Sequence, residues 1–425
     1  MSNDFLIGFY RVVVTPPIGT PLAGYSSRVG VSIGVYDELF ARAMYLNFGG
    51  EEAVLVSADV LGIPAFMRER IEQEIRKRTG VQPDKIVISS THTHSGPDLV
   101  GNFSREDPVL VEDFVRRVVG AVEAASKHVF EAEAFSAARG RCREIVVNRR
   151  NVEKGAVDPD VNVLSFFSGD AGFSILNFTC HAVVMGHNNL YISRDYPGAF
   201  VDYFEEYTGH LAMFFNGACG NINPLTPNTD LSRVYDRSIG TFEEVEWMGD
   251  ILAHEASRVL LLLRREPIRD FAFKSRLVEL KLQELPPLEE LEERLREIEK
   301  LVASKKTPET LFELYKAKTS IYRYKMLREG ARSYRVRIAA LRVNNAAMIF
   351  LPTELFVEIG LGIKEKSPFG LTAVAGYSND YFGYVPIAEA YHEGGYETTF
   401  PVTILREGQA EKLVDEAVKL LEDLE

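Results

Sequence analysis

The chain has 425 residues, of which 46% are hydrophobic and 26% are charged, and its formal net charge is −13. These values are typical of a globular protein with a sizeable core, and the negative charge argues against nucleic acid or an anionic membrane surface as the main partner. Three scattered cysteines are too few for a disulfide framework, which predicts a reducing compartment. The N-terminus lacks a secretory pattern and no apolar run near a terminus reaches a membrane span, so we expect a cytoplasmic protein without a transmembrane segment.

In chain order, the strongest signals are pairs of apolar strands joined by short turns. They predict β-hairpins over 41–58, 161–179 and 336–352. The second strand of each hairpin leads to a polar residue, respectively Asp59, His181 and Glu354.

Single apolar strands and helical patterns separate these hairpins. The strands are predicted at 85–90, 211–215 and 371–376, and the helices at 65–80, 111–128 and 242–265. Hairpins that alternate with helical crossovers predict an α/β fold with mixed β-sheets flanked by helices. Polar residues follow the three single strands as they follow the three hairpins, which makes six polar strand ends. Because side chains beyond a strand end are free of the sheet, we expect these six ends to form one site along one sheet edge.

The segment KIVISSTHTHSGP places His92 and His94 two residues apart at the end of a buried strand. Imidazoles at positions i and i+2 of an extended segment point to the same side and can share one partner. A metal ion would serve as that partner, and so would ordinary hydrogen bonds to neighbouring groups.

A further helical segment stands apart from this pattern, after Pro286 and Pro287. Apolar residues recur there at heptad-like spacing, at Leu288, Leu291, Leu295, Ile298 and Leu301, and a second helix follows. The spacing predicts a helical hairpin over 286–331 that is inserted into a single domain spanning 1–425. An arm packed on the parent domain is the simplest interpretation; a homodimer contact or a lid over the site are the alternatives.

Four segments, taken together, resemble the neutral (non-lysosomal) ceramidase family of zinc amidohydrolases, which cleave the N-acyl bond of ceramide. They are STHTHSGP, NFTCHAVVMG, LPTELF and the Tyr-rich GYSNDYFGYV with EAYHEGGYE after it. The resemblance implies a ceramidase-like catalytic domain and a Zn²⁺ ion held by His92, His181, Glu354 and Tyr384. It also implies that His94 stands beside the metal and handles protons. Without the resemblance, each of these residues has an ordinary structural explanation.

Two departures from the family pattern change the expected substrate. The family carries an essential serine in a Gly-Asp-x-Ser-Pro segment, where this chain reads GNINP and has Asn223 at the serine position. Asparagine cannot be acylated, but it can donate a hydrogen bond to a developing oxyanion. The family's C-terminal immunoglobulin-like domain also has no counterpart in this sequence. That missing domain and the missing secretory pattern weaken the expectation of a membrane-lipid substrate.

Two histidines, a glutamate and one weaker or open position form the ligand set of a catalytic zinc site. Zinc lowers the pKa of bound water from about 16 towards 7, so no nucleophilic side chain is needed. We expect a zinc-dependent hydrolase of a linear N-acyl amide, in which Asn223 or Tyr384 polarises the carbonyl oxygen and His94 protonates the leaving nitrogen. A metal-dependent esterase or lactonase, or an inactive metal-binding scaffold, are the alternatives.

Several further polar residues near the predicted strand ends are candidates for the substrate pocket. Asn148, Arg149 and Arg194 are the proposed substrate-binding residues, and an arginine facing the metal would suit a carboxylate. A small N-acyl amino acid or related amide is therefore favoured over ceramide, although a lipid-like N-acyl substrate stays open. Asp195 is expected to cap a helix, and His187 to lie in a surface loop.

Overall fold

The computed structural model describes residues 4–101, 107–327 and 330–425. Its strands in these ranges are β1 (Phe5–Val13), β2 (Gly34–Val35), β3 (Phe40–Phe48), β4 (Glu51–Ala58), β5 (Ile86–Ser90), β6 (Val129–Glu131), β7 (Ala134–Arg141), β8 (Val146–Asn148), β9 (Asp160–Ser168), β10 (Ala171–Phe178), β11 (Tyr191–Ile192), β12 (Leu211–Asn216), β13 (Ile222–Pro224), β14 (Glu266–Pro267), β15 (Phe271–Lys281), β16 (Ser333–Val343), β17 (Ala346–Phe350), β18 (Glu354–Leu355), β19 (Leu371–Ala375) and β20 (Tyr384–Val385). The α-helices in the same ranges are α1 (Ala65–Thr79), α2 (Pro108–Lys127), α3 (Tyr196–Thr208), α4 (Phe242–Leu262), α5 (Leu288–Ser304), α6 (Pro308–Leu327), α7 (Val357–Lys366), α8 (Ala388–Glu393) and α9 (Gln409–Glu422). None of these helices combines the length and the apolar composition that a membrane span requires.

The same unit of structure occurs three times along the chain. An antiparallel hairpin is followed by a helix and then by a strand that pairs in parallel with the second hairpin strand. The three units are β3–β4–α1–β5, β9–β10–α3–β12 and β16–β17–α7–β19. All three predicted hairpins are confirmed, and so is the mixed character of the sheets.

Each unit lies in a separate sheet, and the inner faces of the three sheets share one aromatic core. The sheet orders are β5-β4-β3-β1-β6, β12-β10-β9-β7-β14 and β15-β16-β17-β19. Phe5 and Phe166 join the first two sheets with ring centroids 5.3 Å apart, and Phe215 and Phe350 join the second and third at 5.5 Å. The outer faces are covered by helices, chiefly α1 and α2, α3 and α4, and α7 and α9, so the strands are buried on both sides.

The sequence predicted that the polar strand ends lie along one sheet edge, and this prediction is wrong. They converge from three different sheets. Backbone hydrogen bonds join the ends directly: Ser90 N donates to Tyr377 O at 3.2 Å, and Gly376 N donates to Asn216 O at 2.9 Å. The physical reason is the shared aromatic core, because sheets packed face to face bring their strand ends to a common point. The functional side chains are therefore gathered by the tertiary packing of three units.

The inserted helical hairpin is formed by α5 and α6 and lies between β15 and β16. The predicted range of 286–331 agrees with this, although 328–329 lie outside the described residues. Leu291 and Ile298 of the heptad-like stripe are buried, whereas Leu301 is 42% exposed. Helix α6 also contributes Phe312 and Tyr315 to the lining of a cavity.

Candidate metal centre and active site

Three imidazoles and one carboxylate meet at the converging strand ends. His92 follows β5, His181 follows β10, and Glu354 lies four residues after β17; all are buried. The Nε2 atom of His181 lies 3.3 Å from Oε2 of Glu354, and that of His92 lies 3.5 Å from the same oxygen. The His94 Nε2 atom lies 3.3 Å from His92 Nε2, so one nitrogen from each histidine falls within a sphere that a metal ion could fill.

The hydrogen bonds of two of these imidazoles fix their tautomers. Nδ1 of His92 lies 2.7 Å from the Leu61 carbonyl oxygen, and Nδ1 of His181 lies 2.6 Å from that of Cys219. A carbonyl oxygen can only accept, so each Nδ1 carries the hydrogen and each neutral Nε2 presents a lone pair. Two lone pairs and the Glu354 oxygen therefore face one another, an arrangement that a cation between them would stabilise.

Burial and neighbouring groups shift the pKa values of three members of the cluster. Burial lowers the pKa of His181 to about 4 and that of His94 well below its ordinary value. Burial alone would raise the pKa of Glu354, but the adjacent His92 and His181 imidazoles hold it well below the usual range. At neutral pH His94 and His181 thus present neutral nitrogens and Glu354 a carboxylate, which are suitable ligands for a divalent metal ion.

The backbone at this cluster adopts an uncommon conformation. Left-handed φ angles occur at His92 (66°), at Thr353 (58°) beside Glu354, at Tyr377 (55°), and at Asn379 (65°) beside β5. Each such residue costs on the order of 1–3 kcal/mol and persists only where its surroundings enforce it. Here the Tyr377 ring stacks on His92 with centroids 4.0 Å apart, and Asn379 N donates to Ile88 O at 2.7 Å.

A cavity of about 300 Å³ opens above the cluster. Its floor is formed by His94, His181 and Glu354, and its roof by Phe312 and Tyr315 of α6. Its walls include the aromatic residues Tyr25, Tyr235, Tyr381, Tyr384 and Tyr396, together with Arg149, Asn223 and Arg237. Of the three interpretations of the inserted hairpin, these contacts support a cover over the site; a homodimer contact stays a prediction.

Glycine is required where the wall approaches the floor most closely. Gly24 has a left-handed φ of +99°, and a Cβ atom there would lie 2.4 Å from the His94 ring. The Tyr25 ring then packs against His94 with centroids 4.9 Å apart, which fixes the orientation of that imidazole.

Arg149 organises one wall of the cavity. Its Nη2 atom donates to Tyr384 Oη at 3.0 Å and to Tyr396 Oη at 2.7 Å, and it pairs with Glu397 at 3.2 Å. Because a guanidinium only donates, the Tyr384 oxygen accepts here, and its own O–H either points to the Tyr396 oxygen 3.5 Å away or turns to a ligand. Burial raises the pKa of Tyr384 well above its ordinary value, so the hydroxyl keeps its proton. Asn223 adjoins this group, with Oδ1 3.4 Å from Arg149 Nη1.

The fourth predicted ligand, Tyr384, lies beside Glu354, because the two residues are paired in the short β18–β20 ladder. Its hydroxyl contacts Arg149, so its role as a metal ligand stays a prediction. Sequence analysis missed Tyr381, whose hydroxyl donates to Glu354 Oε1 at 2.7 Å and orients the carboxylate. Tyr381 lies within the Tyr-rich segment, so the segment was recognised but the residue within it was not.

Two proposed substrate-binding residues lie away from the cavity. The Arg194 guanidinium is paired with Asp37 and Asp202, and Asn148 donates to Ala156 O at 2.9 Å within its own turn. Neither residue lines the cavity, because local partners satisfy both side chains. Of the three candidates, the structure brings Arg149 alone to the site.

The remaining expectations concern Asp195 and His187. Asp195 caps α3 as predicted, and its carboxylate accepts from Tyr196 N at 2.8 Å and from Met185 N at 3.0 Å. The His187 ring contacts Tyr25 edge-on at 6.3 Å and is not part of the cavity lining.

Comparison with known proteins agrees with this geometry. No family model matches the sequence. Neutral ceramidase A of Dictyostelium discoideum is 24% identical over 215 residues, which is 45% of this chain and 30% of that protein. The whole chain superposes on 75% of neutral ceramidase from Pseudomonas aeruginosa with a TM-score of 0.75 and 20% identity. A ceramidase complexed with C2 gives a TM-score of 0.75 at 18% identity, over the whole chain and 76% of that structure.

These likenesses define the chain as an α/β domain of the neutral ceramidase-like fold along its full length. The matched segment spans less than a third of the curated Dictyostelium relative. The activity of this chain is therefore argued from its own site.

Proposed function

We propose that this protein is a zinc-dependent hydrolase that cleaves a linear N-acyl amide bond. The observation that carries the proposal is the convergence of two tautomer-fixed imidazoles and a carboxylate at the floor of an aromatic cavity. Structural zinc sites are usually rich in cysteine and closed, whereas this one is cysteine-free and opens to the cavity. The neutral ceramidase-like fold supports the same reaction class, since those relatives are ceramidases.

His92, His181 and Glu354 would hold the metal, with Tyr384 as the fourth predicted ligand and His94 beside them. A bound zinc ion would supply Lewis acidity, which makes water a nucleophile near neutral pH and polarises the substrate carbonyl.

The residues of the chain itself then position the substrate and move the proton. The O–H of Tyr384, whose oxygen accepts from charged Arg149, would turn from Tyr396 to the carbonyl oxygen as negative charge develops there, and Asn223 would assist from the same wall. Nδ1 of His94 is buried and has no hydrogen-bond partner among the described residues. That atom packs against Gly24, whereas Nε2 faces His92, so Nε2 would be the nitrogen that takes a proton from water and returns it to the leaving nitrogen.

An ester or lactone is the second candidate substrate, and Asn223 favours it. Its Nδ2 atom donates to Val234 O at 3.1 Å, so only one amide hydrogen is left for an oxyanion. Esters need less assistance than amides because their leaving group requires less protonation.

The test is turnover of matched N-acyl amides and esters by purified protein before and after chelation, followed by restoration with Zn²⁺. The proposal expects chelator-sensitive hydrolysis of at least one N-acyl amide and its recovery with zinc. Turnover of esters alone would establish the second candidate. Metal binding without hydrolysis of any substrate would favour the inactive scaffold and overturn the proposal.

We also propose a reducing compartment, the cytoplasm, for this protein. Cys142, Cys180 and Cys219 are all free and buried, which supports the absence of a disulfide framework.

A further inference from the structure

Arg237 is a buried arginine in the wall of the cavity. It is 3% exposed and lines the same cavity as Arg149 and Asn223. It lies in the loop between β13 and α4, where no sequence motif pointed to it. A charged side chain at this depth needs partners, because burial removes the water that would otherwise solvate it.

Protein groups satisfy Arg237 only in part. Its Nε atom donates to Val183 O at 3.1 Å, and Nη1 donates to Pro224 O at 3.2 Å and to Thr229 Oγ1 at 2.9 Å. Nη2 is buried and has no hydrogen-bond partner within the described residues. These contacts hold the guanidinium in place through neutral acceptors and leave two N–H donors unused.

No carboxylate in the described ranges forms an ion pair with Arg237 within 4.0 Å. The charge of Arg237 is felt by the buried Asp195, but that carboxylate accepts hydrogen bonds from three backbone N–H groups and caps α3. Asp195 therefore acts on Arg237 only at longer range.

Arg194 shows what a buried arginine with a structural role looks like in this fold. It is 5% exposed, and its guanidinium pairs with both Asp37 and Asp202. Two arginines of similar burial thus differ in one respect: Arg194 is neutralised by the protein and Arg237 is not. The difference indicates that the counter-ion of Arg237 arrives with a ligand.

The neighbouring charges leave this positive character in place. Arg149 pairs with Glu397 at 3.2 Å, and Arg150 pairs with Glu397 and with Glu393, at 3.1 and 3.2 Å. Two carboxylates thus accompany the three guanidinium groups of Arg149, Arg150 and Arg237, and the unbalanced charge is that of Arg237. A bound divalent metal on the floor would increase the excess, since Glu354 carries a single negative charge.

We propose that Arg237, with Arg149 beside it, forms a carboxylate-binding subsite, and that the substrates are N-acyl amides bearing a carboxylate, as N-acyl amino acids do. The proposal rests on the proposed hydrolase function and specifies its substrate class. Guanidinium groups bind carboxylates through paired N–H donors, and Arg237 lines the cavity with the two donors of Nη2 unused, which a carboxylate reaches once the wall atoms that now cover Nη2 move aside.

The first test uses wild-type protein and three substrates with the same acyl group: an N-acyl amino acid, its carboxamide and the corresponding N-acyl diamine. The proposal expects kcat/KM for the acid to exceed that for the carboxamide at least tenfold, with the ammonium-bearing diamine slowest. Equal or faster metal-dependent turnover of the carboxamide would overturn the carboxylate subsite and leave the hydrolase function standing. Absence of metal-dependent turnover for all three would instead refute the hydrolase function.

The second test assigns the preference to Arg237. In Arg237→Gln the ratio of kcat/KM between acid and carboxamide should fall at least tenfold. Arg233→Gln is the matched control, because Arg233 lies in the same loop, its side chain is 69% exposed, and it pairs with Asp236. A preserved ratio in folded Arg237→Gln would contradict the assignment. Should that variant not fold, Arg237→Lys, which keeps the charge but loses the paired donors, is expected to weaken the preference and not to reverse it.

Discussion

The floor and the roof of the cavity are built in different ways. At and beneath the floor, His92, His181 and Glu354 follow strands in three sheets, and backbone carbonyls hold the imidazoles of His92 and His181. The roof residues Phe312 and Tyr315 come from one inserted hairpin and are only half buried. Their known contacts with the rest of the cavity are aromatic, such as that between Phe312 and Tyr396 at 6.0 Å.

This difference suggests a division of labour between the two regions. Residues that hold a metal must keep their geometry within a few tenths of an ångström, which requires the rigid core beneath the floor. A roof has to exclude water and fit the substrate, and aromatic packing on a separate hairpin is sufficient for that. We therefore expect changes in the floor to abolish chemistry and changes in the roof to alter substrate range.

The largest effect is expected for Glu354→Gln. The change keeps the shape of the side chain but removes the charge that two imidazole lone pairs face, so metal affinity and turnover should fall together, the latter by about a thousandfold or more. Metal content of the purified variant and kcat measure this directly. Glu358→Gln is the control, because Glu358 lies four residues on and contacts Asn221, outside the cavity. Full activity in Glu354→Gln would show that the floor is not the metal centre.

A smaller effect is expected for Asn223→Ala, which alters the wall next to the floor. Loss of one hydrogen-bond donor to a developing oxyanion costs about 3 kcal/mol, so kcat should fall by roughly a hundredfold. Metal content should stay unchanged, since Asn223 contacts Arg149 and Val234 and not the imidazoles. Loss of metal in this variant would mean that the wall also supports the floor.

The floor was accessible to sequence analysis because its residues occur in short segments at predictable strand ends. His92, His181 and Glu354 each follow an apolar strand, and the order of those segments resembles a known family. The three-sheet arrangement was not predictable, because which hairpin packs against which depends on long-range contacts such as Phe215 with Phe350. Local patterns therefore located the residues that meet at the floor but not the packing of sheets that brings them together.

Local sequence patterns did not predict which residues form the roof and the wall of the cavity. Phe312 and Tyr315 look like ordinary residues of an amphipathic helix, and only the placement of the insertion reveals that they cover the site. Sequence analysis proposed both Arg149 and Arg194 as substrate-binding residues, yet Arg194 pairs with two aspartates away from the cavity. No sequence pattern pointed to Arg237, because the folded structure alone shows that a buried arginine lacks a carboxylate partner.

Phe312→Ala tests the roof with a moderate expected effect. Removing the ring enlarges a cavity of about 300 Å³, roughly twice the volume of an engineered cavity that holds benzene. The preference of kcat/KM should therefore shift by about tenfold towards longer acyl groups, with metal content unchanged. Leu301→Ala on the exposed side of α5 should leave the preference as it is. An unchanged acyl preference in Phe312→Ala would deny the roof a role in substrate selection.

The smallest effect concerns pH and the support beneath the floor. His210 contacts Ser174 of β10 at 2.8 Å, and burial lowers the pKa of His210 to about 4. The inserted hairpin and its connections, 282–332, contain no histidine. An unfolded histidine titrates near 6.5, so above that pH neither state binds the proton and the residue has no effect on stability. Between about 6.5 and 4 the unfolded state alone is protonated, so the free energy of unfolding should fall by at most about 1.4 kcal/mol per pH unit.

The comparison of wild type with His210→Gln isolates this contribution. Both proteins are unfolded with urea in metal-free buffer at pH 7.5, 5.5 and 4.5. The variant should lose less stability than wild type as the pH falls, because glutamine cannot take up a proton in either state. The wild-type loss should also appear in the strands that support the floor, measured by hydrogen exchange of β10 and β12, and not first in α5 and α6. Parallel pH profiles for the two proteins would mean that His210 is protonated as readily in the folded chain as in the unfolded one. Burial of His210 would then not contribute to the acid sensitivity of the protein.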